Sequence, residues 1–330
     1  MSKFDNLAGM ISGTPLLAID LKYKGKPMTI YAKAEYYNLS GSIKDRVAYY
    51  ILKKAYEKGK LKEGDTIVEA TSGNTGIAFC AVGTYLGNRV IIYMPDWMSK
   101  ERIRLMESFG AEVRLVSKEE GGFLGSIAMT EELGKQEGIF LPRQFSNIEN
   151  VNAHIEDTGA EVICQLAKLH KTPGGVVAGV GTGGTVMGLM RAFRAVNPGA
   201  KAYPLEPLNS PTLSTGYKTG NHRIQGISDE FIPSIVQLDE LDEVVSVDDV
   251  DSILMAQRLS RELGLGVGIS SGANLLGAIQ KADQLEDGVM VTVFADDNKK
   301  YLSTDYTKQW EMQDGYMSKD IELVGFASFR

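Results

Sequence analysis

Short apolar, β-rich runs alternate with segments of helical period along most of the 330-residue chain. Thr66–Ala70 (TIVEA) reads as a strand that runs into the turn Thr71–Gly76, with a helical pattern from Ile77. Val90–Met94 (VIIYM) reads as a second strand. Ser99 then caps a helix with Ile103 and Met106 on one face. Glu112–Val116, Ile139–Leu141 and Val176–Val180 continue the series. Val47, Ile51 and Ala55, spaced by four, mark a helix entered from the loop Asn38–Arg46. This alternation predicts an α/β protein with a mainly parallel sheet. Ligands of such sheets sit at the carboxyl ends of strands, where these glycine-rich segments fall. The tail Trp310–Arg330 is less regular and reads as an arm or an oligomer contact.

Composition narrows function by exclusion. The length predicts about two domains. Charged residues are 23% and hydrophobic ones 43%, a balance that excludes a disordered or fibrous chain. With 35 basic and 42 acidic side chains the net charge is −7, and no basic block suits nucleic acid or an anionic membrane surface. No apolar run approaches the roughly 18 residues of a membrane span. The first residues lack a secretory apolar core, so a cytoplasmic protein is expected. Cys80 and Cys164 have no CxxC partner, which excludes a disulfide framework and leaves two packed, reduced thiols. His154, His170 and His222 lack metal-binding spacing, and His154 reads as a hydrogen-bonded structural histidine. No GxSxG elbow supports serine hydrolysis. The acidic stretch Glu240–Asp251 reads as a solvated loop and helix start. Trp97 and Trp310 read as core, rim or interface.

Four loops could carry chemistry. In Asn38–Arg46, Lys44 falls at the start of a helix, where the dipole disfavours a cation and eases deprotonation of an amine. Thr71-Ser72-Gly73-Asn74-Thr75-Gly76 offers hydroxyls, an amide and backbone N–H groups at a helix start, an anion site for a carboxylate or phosphate. Gly179, Gly181 and Gly184 fit GxGxxG after a strand, with Glu206 placed as a ribose ligand of a dinucleotide would be. A pocket for one phosphate, wrapped by the N–H groups of Gly181 to Thr185, explains that loop equally well. Gly268-Ile269-Ser270-Ser271-Gly272-Ala273 is another strand-to-helix turn with paired hydroxyls.

Together these segments resemble the fold-type II pyridoxal-phosphate enzymes of the cysteine synthase and cystathionine β-synthase family. The resemblance covers nearly the whole chain. It runs through Gly13-Thr14-Pro15-Leu16, Ser42-Ile43-Lys44-Asp45-Arg46, Thr71–Gly76 and Met94-Pro95. It continues through Met98-Ser99-Lys100-Glu101-Arg102, Gln144-Phe145-Ser146-Asn147 and Gly181–Thr185. Glu206-Pro207, Ser210-Pro211, His222, Ile224-Gln225-Gly226-Ile227, Gly268–Gly272 and Tyr301-Leu302-Ser303-Thr304 complete it. It implies two α/β domains, each with a mainly parallel twisted sheet, and pyridoxal 5′-phosphate in the cleft between them. Residues 36–147 would form a smaller, mobile, substrate-gripping domain. Residues 1–35 and 148–330 would form a larger one holding the cofactor phosphate. A homodimer is implied as well.

Residue by residue, the resemblance implies that Lys44 forms the internal aldimine and moves the substrate α-proton. Asn74 would bond the cofactor's 3′-oxygen. Thr71, Ser72, Gly73, Thr75 and Gln144 would grip the α-carboxylate. Gly181, Thr182, Gly183, Gly184 and Thr185 would form the phosphate cup, so the glycine loop takes one phosphate rather than NAD. Ser270 would face the pyridine nitrogen; a hydroxyl leaves that nitrogen unprotonated and favours β-elimination. The implied reaction is β-replacement on an activated serine such as O-acetyl-L-serine, with sulfide giving L-cysteine. The alternative is L-cysteine as donor, releasing sulfide, with water or a thiol such as homocysteine as acceptor.

Three departures bear on that choice. Leu39 stands where the family often has proline. Ile148 and Glu149 interrupt its NPxN pattern. After Gly226-Ile227, where cysteine synthases often read GIGAGF, this chain has Ser228-Asp229-Glu230-Phe231. A carboxylate at Asp229 facing the substrate would repel hydrosulfide and act as a general base, favouring sulfide release. Neither the haem extension nor the regulatory domain of the long cystathionine synthases is expected.

Overall fold

The computed structural model describes every residue except Met1 and Asp229, so the acidic position singled out above lies outside the described residues. Its strands are β1 (Leu16–Tyr23), β2 (Lys26–Ala34), β3 (Thr66–Ala70), β4 (Arg89–Pro95), β5 (Glu112–Val116) and β6 (Ile139–Phe140). They continue with β7 (Pro173–Gly179), β8 (Lys201–Pro207), β9 (Val245–Val247), β10 (Val289–Phe294) and β11 (Ile321–Phe329). One sheet has the order β5-β4-β3-β6 and is parallel throughout. The other has the order β11-β1-β2-β10-β7-β8-β9. It is parallel from β2 to β9 and antiparallel in the β1–β2 and β1–β11 pairs.

The central strand β4 is legible because both of its faces are covered. Every residue from Val90 to Pro95 is buried, which gives an unbroken apolar run. Helices pack on both faces of each sheet and divide the core into clusters. Helices Lys44–Glu57, Asn74–Leu86, Gly184–Val196 and Ile269–Ala282 all begin at the candidate loops. The chain thus arrives at one end of the sheets carrying each of them. The stretch Gly13–Leu16 leads into β1 of the larger sheet.

Several local expectations need correction. The tail is not an irregular arm: its residues Ile321–Phe329 form β11, an edge strand paired along the whole of β1. Only Ile321 of that strand is buried, so its apolar pattern is too dilute to read. The β1–β2 hairpin also lacks an Asn-Gly signal. It turns through Lys24 and Gly25, both at positive φ, the geometry of a tight two-residue hairpin. Within the acidic stretch, Val245–Val247 is β9 and Asp248 caps the helix Asp249–Leu263. Asp249 and Asp251 are buried there, Asp251 accepting from the backbone of Met317 and Ser318. Cys80 is buried, but Cys164 is exposed, because its helix turns Val162, Gln165 and Leu166 inward instead. Ser99 occupies the cap position of its helix without a side-chain capping bond. The Gly268 turn follows a single bridge of Val267 with Asp297 rather than a strand. Among the described residues no helix is long and apolar enough to cross a membrane.

Candidate active site

A cavity of about 390 Å³ opens where the ends of β3 and β7 release their loops. Lys44, Thr71, Ser72, Gly73, Asn74, Thr75 and Gln144 line it from one side. Gly181, Thr182, Gly183, Thr185 and Ser270 line it from the other. Gly184 is the expected cup residue that does not reach the wall; its N–H is directed to Thr182 Oγ1 at 3.3 Å. Lys44 is the first residue of its helix, as the apolar spacing predicts, with its N–H 3.3 Å from Ser42 Oγ.

The loop after β3 is held from behind. Thr71 Oγ1 accepts the Gly73 N–H at 3.2 Å. Thr75 donates to Gln144 Oε1 at 2.6 Å, and Gln144 Nε2 donates to Ala70 O at 2.9 Å. Below them Glu69 is wholly enclosed and accepts from the Ala70 and Gln144 N–H groups. Burial overrides those bonds and pushes its carboxyl up to about 8. Gly73 leaves no room for a side chain: a Cβ there would lie 2.7 Å from Arg102 Nε.

The loop after β7 is equally constrained. Gly183 has φ +85°, and a Cβ on it would meet Val236 at 2.1 Å. Thr182 Oγ1 accepts from Asn150 Nδ2 at 2.9 Å, and the same nitrogen donates to Gln144 O at 2.9 Å. One amide therefore ties the two halves of the cavity together. His154 is structural, as expected: buried, 2.9 Å from Thr158 and 3.3 Å from Thr185 Oγ1. Burial, and then the charges of Lys44 and Arg46, hold it well below the usual histidine range, so it stays neutral. Glu206 does not face the cavity. Its carboxylate accepts from Leu213 N and Ser214, which removes the proposed ribose ligand of a dinucleotide site.

Sequence reasoning gave no role to several residues of the wall. Trp97, Arg102, Phe145, Lys218, Gln225 and Tyr301 line it. Arg102 lies over the Tyr301 ring at 4.9 Å and donates to Gln225. All three of these last residues sit in segments that carry the family resemblance, which was the available signal. His222 lines the wall too, with its Nε2 3.3 Å from Ser228 O. Ser228 and Glu230, the neighbours of Asp229, also line the cavity. Among the described residues no cluster of potential metal ligands is present.

A family model described as pyridoxal-phosphate dependent enzyme matches residues 7–296. The chain is 40% identical over 302 residues to the probable cysteine synthase of Bacillus subtilis, covering 91% of this chain and 96% of that protein. The solved hydrogen sulfide-producing enzyme from Fusobacterium nucleatum is 55% identical, covers 98% of both chains and superposes with a TM-score of 0.94. An aspartate-to-asparagine variant of a hydrogen sulfide-producing enzyme, solved with an α-aminoacrylate intermediate, is 56% identical with a TM-score of 0.95 and 98% coverage of both chains. Cysteine synthase from Entamoeba histolytica is 34% identical, with a TM-score of 0.85 and coverage of 96% and 94%. The chain belongs to the fold-type II pyridoxal-phosphate-dependent enzymes, in the cysteine synthase family. Its cofactor is pyridoxal 5′-phosphate, and its reaction class is β-replacement and β-elimination in sulfur amino-acid metabolism.

The residues present fit that cofactor. Asn74 Oδ1, Arg102 Nε and His222 Nδ1 are buried at the cavity without hydrogen-bond partners, as is Asn150 Oδ1 behind it. Buried polar atoms left unpaired are costly and rare, so their gathering here marks a surface made for a polar ligand. The donor set on one side is neutral and rich in N–H and O–H groups, suited to an anion at a helix start.

Proposed function

We propose that this enzyme cleaves the Cβ–S bond of L-cysteine, releasing sulfide and passing the remaining three-carbon unit to water or to a second thiol. Water as acceptor gives L-serine, and homocysteine gives cystathionine. The observation that carries this reading is the acidic segment Ser228-Asp229-Glu230, whose described members stand in the cavity wall where related synthases often read neutral residues. The similarity of 55–56% to hydrogen sulfide-producing enzymes supports it. Synthesis of L-cysteine from O-acetyl-L-serine and sulfide is the second reading, supported by the relatives named cysteine synthase.

Bound pyridoxal phosphate supplies the electron sink that lets the substrate Cα–H bond break and the β-substituent depart. The chain supplies the rest. Gly181, Thr182, Gly183 and Thr185 would hold the phosphate, Asn74 the 3′-oxygen, and Ser270 the pyridine nitrogen. Thr71, Ser72, Gly73, Thr75 and Gln144 grip the substrate α-carboxylate with neutral donors. Lys44 would hold the cofactor and would carry the substrate α-proton on its Nζ. Asp229 takes a proton from the incoming water or thiol, and its charge discourages return of hydrosulfide. Residues 36–147 close over the bound amino acid and expel water. The enzyme acts as a cytoplasmic homodimer.

Sulfide release from L-cysteine, compared with cysteine formation from O-acetyl-L-serine and sulfide, tests the direction. Asp229→Ala should suppress sulfide release while the cofactor stays bound. Equal release by the variant removes Asp229 from the mechanism. A native enzyme that forms cysteine far faster than it releases sulfide restores the second reading.

A further inference from the structure

Asp296 lies outside the cavity wall, yet it is wholly buried and joins three segments that build the wall. Its backbone carbonyl accepts from Gly268 N at 3.0 Å, at the start of the Ser270 helix. The carbonyl of Ala295, one residue earlier, accepts from Ile43 N at 2.9 Å, next to Lys44. The carboxylate itself accepts through Oδ2 from Asn74 Nδ2 and from the Tyr301 hydroxyl, each at 2.7 Å. Asn74 and Asp296 are 222 residues apart and follow strands of different sheets.

The chemistry of this contact is directional. A carboxylate oxygen accepts, so it selects the NH₂ end of the Asn74 amide. A flipped amide would set oxygen against oxygen in a buried place. The NH₂ group carries two hydrogens. Asp296 takes one and leaves the other available to donate. The carboxylate cannot swing away, because Tyr301 holds the same oxygen and the opposite one faces Gly268. A Cβ at Gly268 would lie 2.0 Å from Asp296 Oδ1, so only glycine fits beside it.

We infer that Asp296 is a positioning residue that sets the Asn74 amide to donate toward the 3′-oxygen of the cofactor. The inference rests on the reading of Asn74 given above. It also makes the contact a link between the two sheets, through which Asn74 is aligned with Lys44 and Ser270 together.

The test reconstitutes apoenzyme with pyridoxal phosphate and measures the dissociation constant and the pH dependence of the visible absorption. Native protein is compared with Asp296→Ala, Asp296→Asn, Asn74→Ala and the double variant Asn74→Ala/Asp296→Ala. Asp296→Ala should weaken cofactor binding about tenfold, the scale of one buried hydrogen bond. It should move the visible band in the same direction as Asn74→Ala. Asp296→Asn keeps an acceptor oxygen and should recover most of the native spectrum. In the Asn74→Ala background, Asp296→Ala should add no further spectral change, whereas a merely structural role makes the two effects additive. An Asp296→Ala spectrum identical to native while Asn74→Ala shifts it, or full additivity, overturns the inference. A native spectrum for Asn74→Ala overturns instead the reading of Asn74 on which it rests. Asp296→Leu keeps the side-chain bulk without the acceptor and answers the same question if the alanine variant does not fold.

Discussion

The helix Lys44–Glu57 separates two buried polar regions of opposite character, reached by residues only two positions apart. Arg46 points into a saturated cluster. Its Nε and Nη2 donate to Glu35 at 2.6 and 2.8 Å, and its Nη1 reaches Glu161 and Asp157 at 2.9 and 2.8 Å. Lys33 completes the set, donating to Thr14 O, Glu161 and Gln165. Burial pushes the Glu35 carboxyl up, but the Arg46 guanidinium outweighs it and holds Glu35 below its usual range. Lys44 faces the cavity, around which Asn74, Arg102, Asn150, His222 and Asp296 each leave a buried polar atom unpaired. The first region has spent its hydrogen-bonding capacity on itself and serves as scaffold. The second keeps capacity in reserve, at a cost in stability, and serves as a binding surface.

The contrast predicts that neighbouring substitutions on one helix fail in different ways. Lys44→Ala should have the largest effect: turnover falls to near background while thermal stability stays close to native. Borohydride treatment followed by mass analysis should fix cofactor to the native protein and none to the variant at this position. A fully active variant would break the assignment of the site.

Arg46→Met should act on stability instead. It strands Glu35 in the core, and breaking a buried pair costs on the order of 3–5 kcal/mol, measurable by denaturant unfolding. The same cluster sets an acid limb. Against the upward push of burial, Arg46 and then Lys33 hold Glu161 down to about 2. Its folded pKa lies below the unfolded value, so its stabilisation is present above the unfolded pKa. It is lost as pH falls through the range from about 4.5 to 2. Arg46→Met should flatten that limb.

A smaller effect is expected from Gln144→Ala. It should weaken amino-acid binding by about 1.5–3 kcal/mol, the scale of a hydrogen bond to a charged group, and leave the cofactor's own spectrum intact. Unchanged amino-acid affinity would take Gln144 out of the carboxylate grip. Per pH unit, the smallest change is the slope set by Glu69. Its folded pKa of about 8 exceeds the ordinary carboxyl value of 4.5, so the folded state retains a proton that the unfolded chain releases. Stability should fall as pH rises between those values, by at most about 1.4 kcal/mol per pH unit. Glu69→Gln should remove that slope, as thermal unfolding across the range will show.

The sequence by itself determined the parts whose causes lie close together along the chain. Apolar runs marked β3, β4 and β7 because those parallel strands are covered on both faces, whereas the edge strand β5 buries only Val116. Small polar and glycine-rich loops between such runs and helical patterns marked the ends of the sheets where Lys44, Asn74, Gly183 and Ser270 now meet. Family resemblance sharpened the chemistry of those loops. Only the tertiary structure decided which carboxylates face inward and what they hold. Glu206 turned to its own following helix, Asp249 and Asp251 left solvent for the core, and Cys164 rotated outward on its helix. β11 escaped notice because an edge strand needs one buried residue, not an alternating row. Asp296 carries no local mark at all, since many acids in the chain could accept from an asparagine. Its partner is chosen by the meeting of two sheets, and contacts across 222 residues have no period, cap or spacing through which a sequence can announce them.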